Sequence, residues 1–156
     1  MKRIVIIGSC GSGKTTLGRQ LAKRLNIPVT DLDDLYLLPQ WTKRPKEEFA
    51  ALIEEAAKPD EWIICGNQSK YQGLIWPKAD TIIWLDLPFY ILFYRLVKRG
   101  MQQMTTGELF CNGNHQTVYR FFWILLWLFR RYWRNRKRYR KLSKTTRKPL
   151  DGCAKY

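Results

Sequence analysis

Residues 4–15, IVIIGSCGSGKT, decide how the rest of this 156-residue sequence is interpreted. Four apolar residues lead into the spacing G-x-x-x-x-G-K-T, and an amphipathic segment with Leu17, Leu21 and Leu25 follows. This order of strand, glycine-rich loop and helix is typical of a phosphate-binding loop. The glycines permit backbone angles closed to other residues, so several N–H groups can point at one anion beside the positive end of the helix. The pattern predicts binding of a nucleoside triphosphate.

The loop predicts a site for ATP and Mg²⁺. Lys14 would place its ammonium group against the β- and γ-phosphates and act in catalysis, while Thr15 would offer its hydroxyl to the metal. The residues predicted to hold the nucleotide are Gly8, Ser9, Cys10, Gly11, Ser12, Gly13, Lys14, Thr15 and Thr16.

Apolar runs elsewhere predict a buried parallel sheet. Strands are predicted over residues 3–7, 28–33, 62–65 and 81–86, and helices over 13–25, 46–58, 90–99 and 117–142. Continuous apolar strands alternating with helices indicate one α/β domain over residues 1–156. Residues 34–46 are predicted as a loop. Gly100 is expected to end its helix, and residues 100–116 to form a mobile loop, so that 100–142 would be a lid-like loop followed by a long helix.

Two predicted strands end in acidic side chains, Asp33 and Asp86. The carboxyl ends of parallel strands face the ligand crevice, so both are expected to hold Mg²⁺ together with Thr15. Asp31 and Asp33 alternate along the predicted strand and would face the same side, where one of them could accept a proton from a substrate hydroxyl. The alternative is that Asp33 or Asp34 only caps the following turn.

Several arginines are candidates for binding phosphate. Arg95 and Arg99 are spaced i, i+4 on a predicted helix and share a face that either clamps the nucleotide or is simply solvated. Arg130, Arg131 and Arg134 are expected to act as lid cations, with Arg131 and Arg99 predicted to be catalytic.

The net charge of +15 is concentrated in residues 109–156, which hold 13 basic residues and one acidic residue. Such a segment could bind nucleotide phosphates, nucleic acid or an anionic membrane, or could be a solvated face. The apolar run 121–129 is shorter than the roughly 20 residues needed to cross a bilayer and is expected to be buried or at an interface. Peripheral membrane attachment ranks lowest, because apolar residues surround the helix. Four scattered cysteines and no signal peptide predict a cytoplasmic protein.

The sequence resembles the adenylate-kinase-like branch of P-loop kinases, and more closely the small bacterial topology modulation (FlaR-like) proteins. The segments that carry the resemblance are GSCGSGKTTLGRQLAKRL (8–25), LDDLYLLPQW (32–41), WIICGNQ (62–68), ADTIIWLDLP (79–88) and RLVKRG (95–100). The resemblance implies a three-layer P-loop fold with sheet order 2-3-1-4-5, and an R-x-x-x-R helix on the donor nucleotide. It also implies an acceptor region that includes Asp31, Asp33, Trp41, Gly66 and Asn67.

Two features depart from that family. Cys65 stands where the family commonly has an aspartate, which puts an acidic role at that position in doubt. No strand pattern follows Leu142, so the sheet is expected to stop at order 2-3-1-4, with its edge covered by the arginine-rich helical arm or by a second copy. The sequence thus predicts a kinase that phosphorylates a nucleoside, nucleotide or similar hydroxylated metabolite. The alternative is a nucleotide-regulated protein that binds DNA or RNA through its basic half.

Overall fold

A computed structural model describes residues 2–106, 114 and 117–145, with side chains up to residue 141. Its strands are β1 (Arg3–Gly8), β2 (Val29–Asp31), β3 (Trp62–Cys65) and β4 (Thr81–Leu85). Its α-helices are α1 (Lys14–Leu25), α2 (Leu32–Tyr36), α3 (Lys46–Ala56), α4 (Gln72–Ile75), α5 (Phe89–Thr106) and α6 (Val118–Thr145). Short 3₁₀ turns cover Pro39–Trp41, Ser69–Tyr71 and Trp76–Lys78.

The four strands form a parallel sheet of order β2-β3-β1-β4. Strand β1 lies in the centre, where Val5 pairs with Ile64 on one side and Ile82 on the other. Because both faces of a parallel sheet are covered, the interior of β1 is apolar, and Ile4 to Ile7 are at most 2% exposed. The predicted α/β class and strand order are confirmed. The residues beyond 145, where a fifth strand was not expected, lie outside the described part of the chain.

The two faces of the sheet carry different helices. Ile4 and Ile6 pack with Leu17 and Leu21 of α1. The alternate residues of β1 face a second cluster, which contains Phe49 and Ile53 of α3 and also Tyr139 of α6. Helix α6 therefore returns to the body of the protein and packs on the face of the sheet opposite α1.

The predicted strand over residues 28–33 is too long. Strand β2 stops at Asp31, and α2 begins at Leu32, because the Asp31 carboxylate accepts a hydrogen bond from the Asp33 backbone N–H at 3.0 Å and caps the new helix. Asp31 and Asp33 consequently do not alternate along a strand. The first part of the predicted loop 34–46 is helical for the same reason.

Helix α5 does not end at Gly100 but continues to Thr106. A Cβ atom on Gly100 would lie 2.3 Å from the ring of Phe121, so this glycine allows α6 to pack closely on α5. The rest of the predicted loop 100–116 lies outside the described residues, except Asn114. In the part of the chain that is described, no helix is long and apolar enough to span a membrane.

Candidate active site

The loop between β1 and α1 has the backbone shape of a phosphate cradle. Gly11 and Gly13 adopt φ angles of 79° and 89°, which side chains other than glycine rarely adopt. A Cβ on Gly8 would lie 2.6 Å from Ser12 Oγ, so this position is also restricted to glycine. The Lys14 ammonium group donates to the Ser9 carbonyl oxygen at 3.1 Å and closes over the loop.

Oxygen ligands suited to Mg²⁺ meet where α1 begins and β2 ends. The Thr15 hydroxyl donates a hydrogen bond to Asp31 Oδ2 at 2.5 Å. A hydroxyl and a carboxylate fit the chemistry of Mg²⁺, which keeps several waters and takes few protein ligands. No group of three or more His, Cys, Asp or Glu residues that could hold a metal is found among the described residues. Asp31, predicted as a substrate residue, therefore joins Thr15 as a candidate magnesium ligand.

Asp86 follows β4, as the sequence predicts, but basic residues of α6 occupy its carboxylate. Arg136 Nε lies 2.8 and 3.1 Å from its two oxygens, and Arg140 Nη2 lies 3.6 Å away. In this structure Asp86 fastens α6 to the sheet. Its predicted metal role requires that these ion pairs open.

A cavity of about 520 Å³ lies above the loop. Its floor includes Gly8, Ser9, Cys10 and Lys14, and Asp33 of α2 faces it. The remaining lining residues are Tyr36, Leu37, Trp41, Lys43, Lys46, Asn67, Gln68, Ser69, Lys70, Tyr71, Trp123, Ile124, Trp127, Leu128, Arg131, Tyr132 and Asn135. The phosphate loop and the predicted acceptor residues Asp33, Trp41 and Asn67 thus share one space.

Asp33 has an unusual electrostatic setting. Although its side chain is open to the cavity, the surrounding protein removes much of its water, and this desolvation raises its pKa above the ordinary 3.8. The neighbouring Asp31 raises this pKa further, while Lys14 lowers it. Gln68 Nε2 lies 3.4 Å from Asp33 Oδ1. A carboxylate with a raised pKa beside the loop lysine is a suitable proton acceptor.

The lining of the cavity also includes basic and aromatic side chains that lie outside the phosphate loop. Lys43, Lys46 and Lys70 line the cavity. The Trp41 backbone N–H donates to Asn114 Oδ1 at 2.7 Å, and the Arg120 guanidinium stacks 4.5 Å from the centre of the Trp41 ring. The three lysines were not predicted as site residues, because they lie in segments where no pattern distinguishes them from surface residues.

Helix α6 forms one wall of the cavity. Trp123, Trp127, Arg131 and Asn135 all line it, and the Arg131 guanidinium lies 5.3 Å from the centre of the Trp127 ring. These four residues are spaced i, i+4, which is a signal that could have identified them in the sequence. The structure places Arg131 in the cavity, while Arg130 and Arg134 are exposed and are not among its lining residues.

The structure separates the two arginines of α5. The Arg95 guanidinium lies beside the phosphate loop. Its Nη1 atom is 3.8 Å from the position that a Cβ on Gly13 would occupy. Arg99 instead lines a small crevice between α5 and α6, together with Gly100 and Phe121. Thr16 is exposed at the start of α1, beside the loop.

The two residues of the predicted acceptor turn differ in their surroundings. Gly66 has a φ of 150°, and a Cβ there would lie 2.7 Å from Leu32. Asn67 lines the cavity, and its Oδ1 atom accepts a hydrogen bond from the Tyr139 hydroxyl. Cys65 is buried with its thiol 3.5 Å from the Lys14 carbonyl oxygen, and burial raises the pKa of this thiol to about 12. Cys65 therefore stays neutral and cannot replace an acid.

Comparisons with known proteins agree with this geometry. Residues 4–119 match the family model of the AAA domain. The chain is 31% identical over 104 residues to the uncharacterized protein YqaC of Bacillus subtilis, covering 65% of this chain and 58% of that protein. It is 39% identical over 75 residues to shikimate kinase of Parabacteroides distasonis, covering 48% and 43%. It is 28% identical over 110 residues to threonine synthase-like 1 of Macaca fascicularis, covering 61% and 15%.

The chain therefore matches less than two thirds of the length of each of these relatives. Among solved structures, shikimate kinase from Acinetobacter baumannii in complex with shikimate superposes with a TM-score of 0.50 at 20% identity, over 64% of both chains, which shows a shared fold. The predicted relationship to P-loop kinases is confirmed. Because the family model covers most of the sequence and includes the whole phosphate loop, the chain belongs to the AAA domain family of P-loop proteins.

Proposed function

We propose that this protein is an ATP-dependent phosphotransferase that phosphorylates a hydroxyl group of a small anionic metabolite. The observation that carries the proposal is the placement of Lys14 and Asp33 in one cavity, close enough for the lysine to lower the pKa of the carboxyl group. A phosphate cradle and a proton acceptor that face each other are the two parts that transfer to a hydroxyl requires.

In this proposal each residue has a distinct role. The loop N–H groups and Lys14 hold the β- and γ-phosphates, and Arg95 approaches them from α5. The acceptor hydroxyl forms a bond to the γ-phosphorus as the bond from that phosphorus to the β,γ-bridging oxygen breaks, and the hydroxyl proton passes to Asp33. Arg131 neutralises charge on the transferred group. Thr15 and Asp31 would hold Mg²⁺, which neutralises phosphate charge when bound.

The lining of the cavity supports an anionic acceptor. Lys43, Lys46 and Lys70 line the cavity, and none of them belongs to the phosphate loop. These cations would attract a carboxylate or phosphate of the acceptor. Trp123 and Trp127 would cover an apolar ring of the acceptor and exclude water. The similarity to shikimate kinase, whose named substrate is a hydroxylated carboxylic acid, supports the same class.

The test uses the full chain with Mg²⁺·ATP and separate acceptors: shikimate, gluconate and nucleoside monophosphates. We expect acceptor-dependent release of ADP and a phosphorylated product by mass spectrometry. Asp33→Asn should lower kcat about 100-fold or more while ATP affinity is kept, because it removes only the proton acceptor. Lys14→Ala should lose both ATP affinity and turnover.

Asp34→Asn is the matched control, since Asp34 is the adjacent acid on α2 but does not line the cavity. It should keep at least half of the activity. If Lys14→Ala leaves turnover unchanged, or if Asp33→Asn and Asp34→Asn behave alike, the proposed mechanism is wrong. Nucleic-acid binding through residues 109–156 and a homodimer through residues 121–129 stay predictions, because the relatives described above do not support them.

A further inference from the structure

Helix α6 presents three different sides. Leu128 and Tyr132 are at most 2% exposed and pack against Leu92 and Leu96 of α5. A second side lines the cavity through residues such as Trp127. The packing of these two sides explains most of the apolar residues of the helix. It leaves a third side that faces away from the protein.

The third side carries four large apolar side chains, which we call the aromatic stripe: Phe122, Leu126, Phe129 and Trp133. Their exposed fractions are 63%, 53%, 60% and 61%. At 3.6 residues per turn, the four positions lie within about 60° of one another around the helix. In the sequence, apolar residues surround this helix, which argued against membrane attachment. The structure weakens that objection, because it buries Leu128 and Tyr132 and places Trp123, which is 56% exposed, in the cavity lining.

The stripe continues onto the neighbouring helix. Phe129 packs edge-on against Phe89, with ring centres 5.9 Å apart, and Phe89 stacks on Phe93 at 6.0 Å. Phe93 is itself 43% exposed. A contiguous apolar surface over two helices marks an interaction site, whereas apolar residues exposed singly do not.

The positive charge of α6 indicates which kind of partner binds the aromatic stripe. Its 28 residues include ten Lys or Arg and no Asp or Glu. Arg130, Arg134 and Lys137 are exposed and lie along one flank of the stripe. Two copies packed stripe to stripe would bring these charges together without a compensating acid, which disfavours a second copy. A nucleic-acid duplex would pair with the charges but would leave the apolar stripe in water. A single strand could stack bases on the rings but would leave Leu126 without an apolar partner.

We propose that the aromatic stripe, with its basic flank, docks this protein on the surface of an anionic lipid bilayer. Aromatic and leucine side chains would enter the interface between headgroups and acyl chains, and the arginines would remain at the level of the lipid phosphates. Each basic side chain near an anionic leaflet adds electrostatic attraction. The docking surface is separate from the cavity, so it does not depend on the identity of the acceptor.

The test is flotation of the full chain with vesicles of phosphatidylcholine, with and without about one third phosphatidylglycerol. We expect binding to the anionic vesicles and little binding to the neutral ones. Phe122→Gln/Leu126→Gln should weaken binding about tenfold or more, and Arg130→Gln/Arg134→Gln should remove the preference for anionic lipid. Leu25→Gln is the matched control, because Leu25 is 43% exposed on α1, on the opposite face of the sheet.

Circular dichroism and thermal unfolding of each variant establish that it is folded. The proposal is overturned if folded wild-type protein does not float with anionic vesicles at moderate salt, or if Phe122→Gln/Leu126→Gln binds as well as wild type. It is also overturned if sedimentation velocity shows a dimer that this double variant dissolves while vesicle binding is absent. In that case the stripe is a contact between two copies.

Discussion

Asp33, the proposed proton acceptor, illustrates how a site residue can lower stability. The proposed reaction requires its carboxylate in the ionised form, but the protein around it disfavours that form and raises its pKa. An acid whose pKa is raised on folding binds more protons in the folded than in the unfolded state. Stability therefore falls as the pH rises past the unfolded value.

We expect Asp33→Asn to be more stable than wild type at pH 7 in the absence of ligands, because it removes a desolvated charge. The difference should shrink as the pH is lowered towards the ordinary pKa of 3.8, where the carboxyl group is protonated in both states. Urea denaturation at several pH values measures it. An Asp33→Asn protein that is less stable than wild type at pH 7 would mean that Asp33 forms a stabilising pair with Lys14 instead.

Individual site residues differed in how well the sequence predicted them. The phosphate loop was predicted in full, because its glycines and Lys14 act through the local backbone. Asp31 was predicted to bind substrate. Its hydrogen bond with Thr15 joins the end of β2 to the start of α1, and the spacing of residues in the sequence cannot reveal such a contact. The lysines of the cavity come from two segments, around the start of α3 and in the turn at Ser69–Tyr71, and their position depends on how these segments fold towards the phosphate loop, so the sequence could not place them.

The contact between α1 and β3 is unusually close and depends on one pair of residues. Gly18 is buried in α1, and a Cβ there would lie 2.3 Å from the sulfur of Cys65. The same thiol contacts the Lys14 carbonyl oxygen at the start of the helix. This pair sets how closely the phosphate loop helix approaches the sheet.

We expect Gly18→Ala to lower the free energy of unfolding by about 1–2 kcal/mol, because overpacking outweighs the gain in helix propensity. Gly73→Ala is the matched control, since a Cβ on Gly73 would meet no atom within 4 Å, and it should be neutral or slightly stabilising. Chemical denaturation measures both. If the two variants are equally stable, α1 adjusts freely and the contact with Cys65 does not constrain it.

Helices and strands with long, regular patterns were predicted well, and short ones were not. The four strands and α1 follow from continuous apolar runs and from leucine spacing. Helix α2 is only five residues long and depends on the Asp31 cap, so its pattern is too short to distinguish from a strand end followed by a loop. Helix α5 continues through Gly100, and this glycine makes room for Phe121, a packing contact between residues distant in sequence.

At the scale of the whole molecule, the C-terminal half of α6 packs on the sheet and forms ion pairs at the end of the edge strand β4. Asp86 is 11% exposed and pairs with Arg136 and Arg140. Between these two arginines, Tyr139 packs in the core and donates to Asn67. The sequence indicated a basic helix after a loop. It could not show that two arginines of this helix, Arg136 and Arg140, form ion pairs with Asp86 at the end of β4.

We expect Asp86→Asn to lower the free energy of unfolding by about 2 kcal/mol, because charged hydrogen bonds in a partly buried pair are lost. Breaking the exposed pair of Glu55 and Lys58 with Glu55→Gln should cost less than about 0.5 kcal/mol and serves as control. Urea denaturation measures both. Unchanged stability with a loss of Mg²⁺-dependent turnover would instead assign Asp86 to the metal.

Helix α6 contributes to both the cavity and the aromatic stripe, and this has a thermodynamic consequence. One side of this helix is a wall of the cavity and another is the aromatic stripe, so a ligand on either side restricts the same rigid body. Any free energy that a filled cavity contributes to docking must appear, with equal size, as tighter binding in the cavity when the protein is docked. The affinity for substrate would then differ between protein docked on a bilayer and protein free in solution.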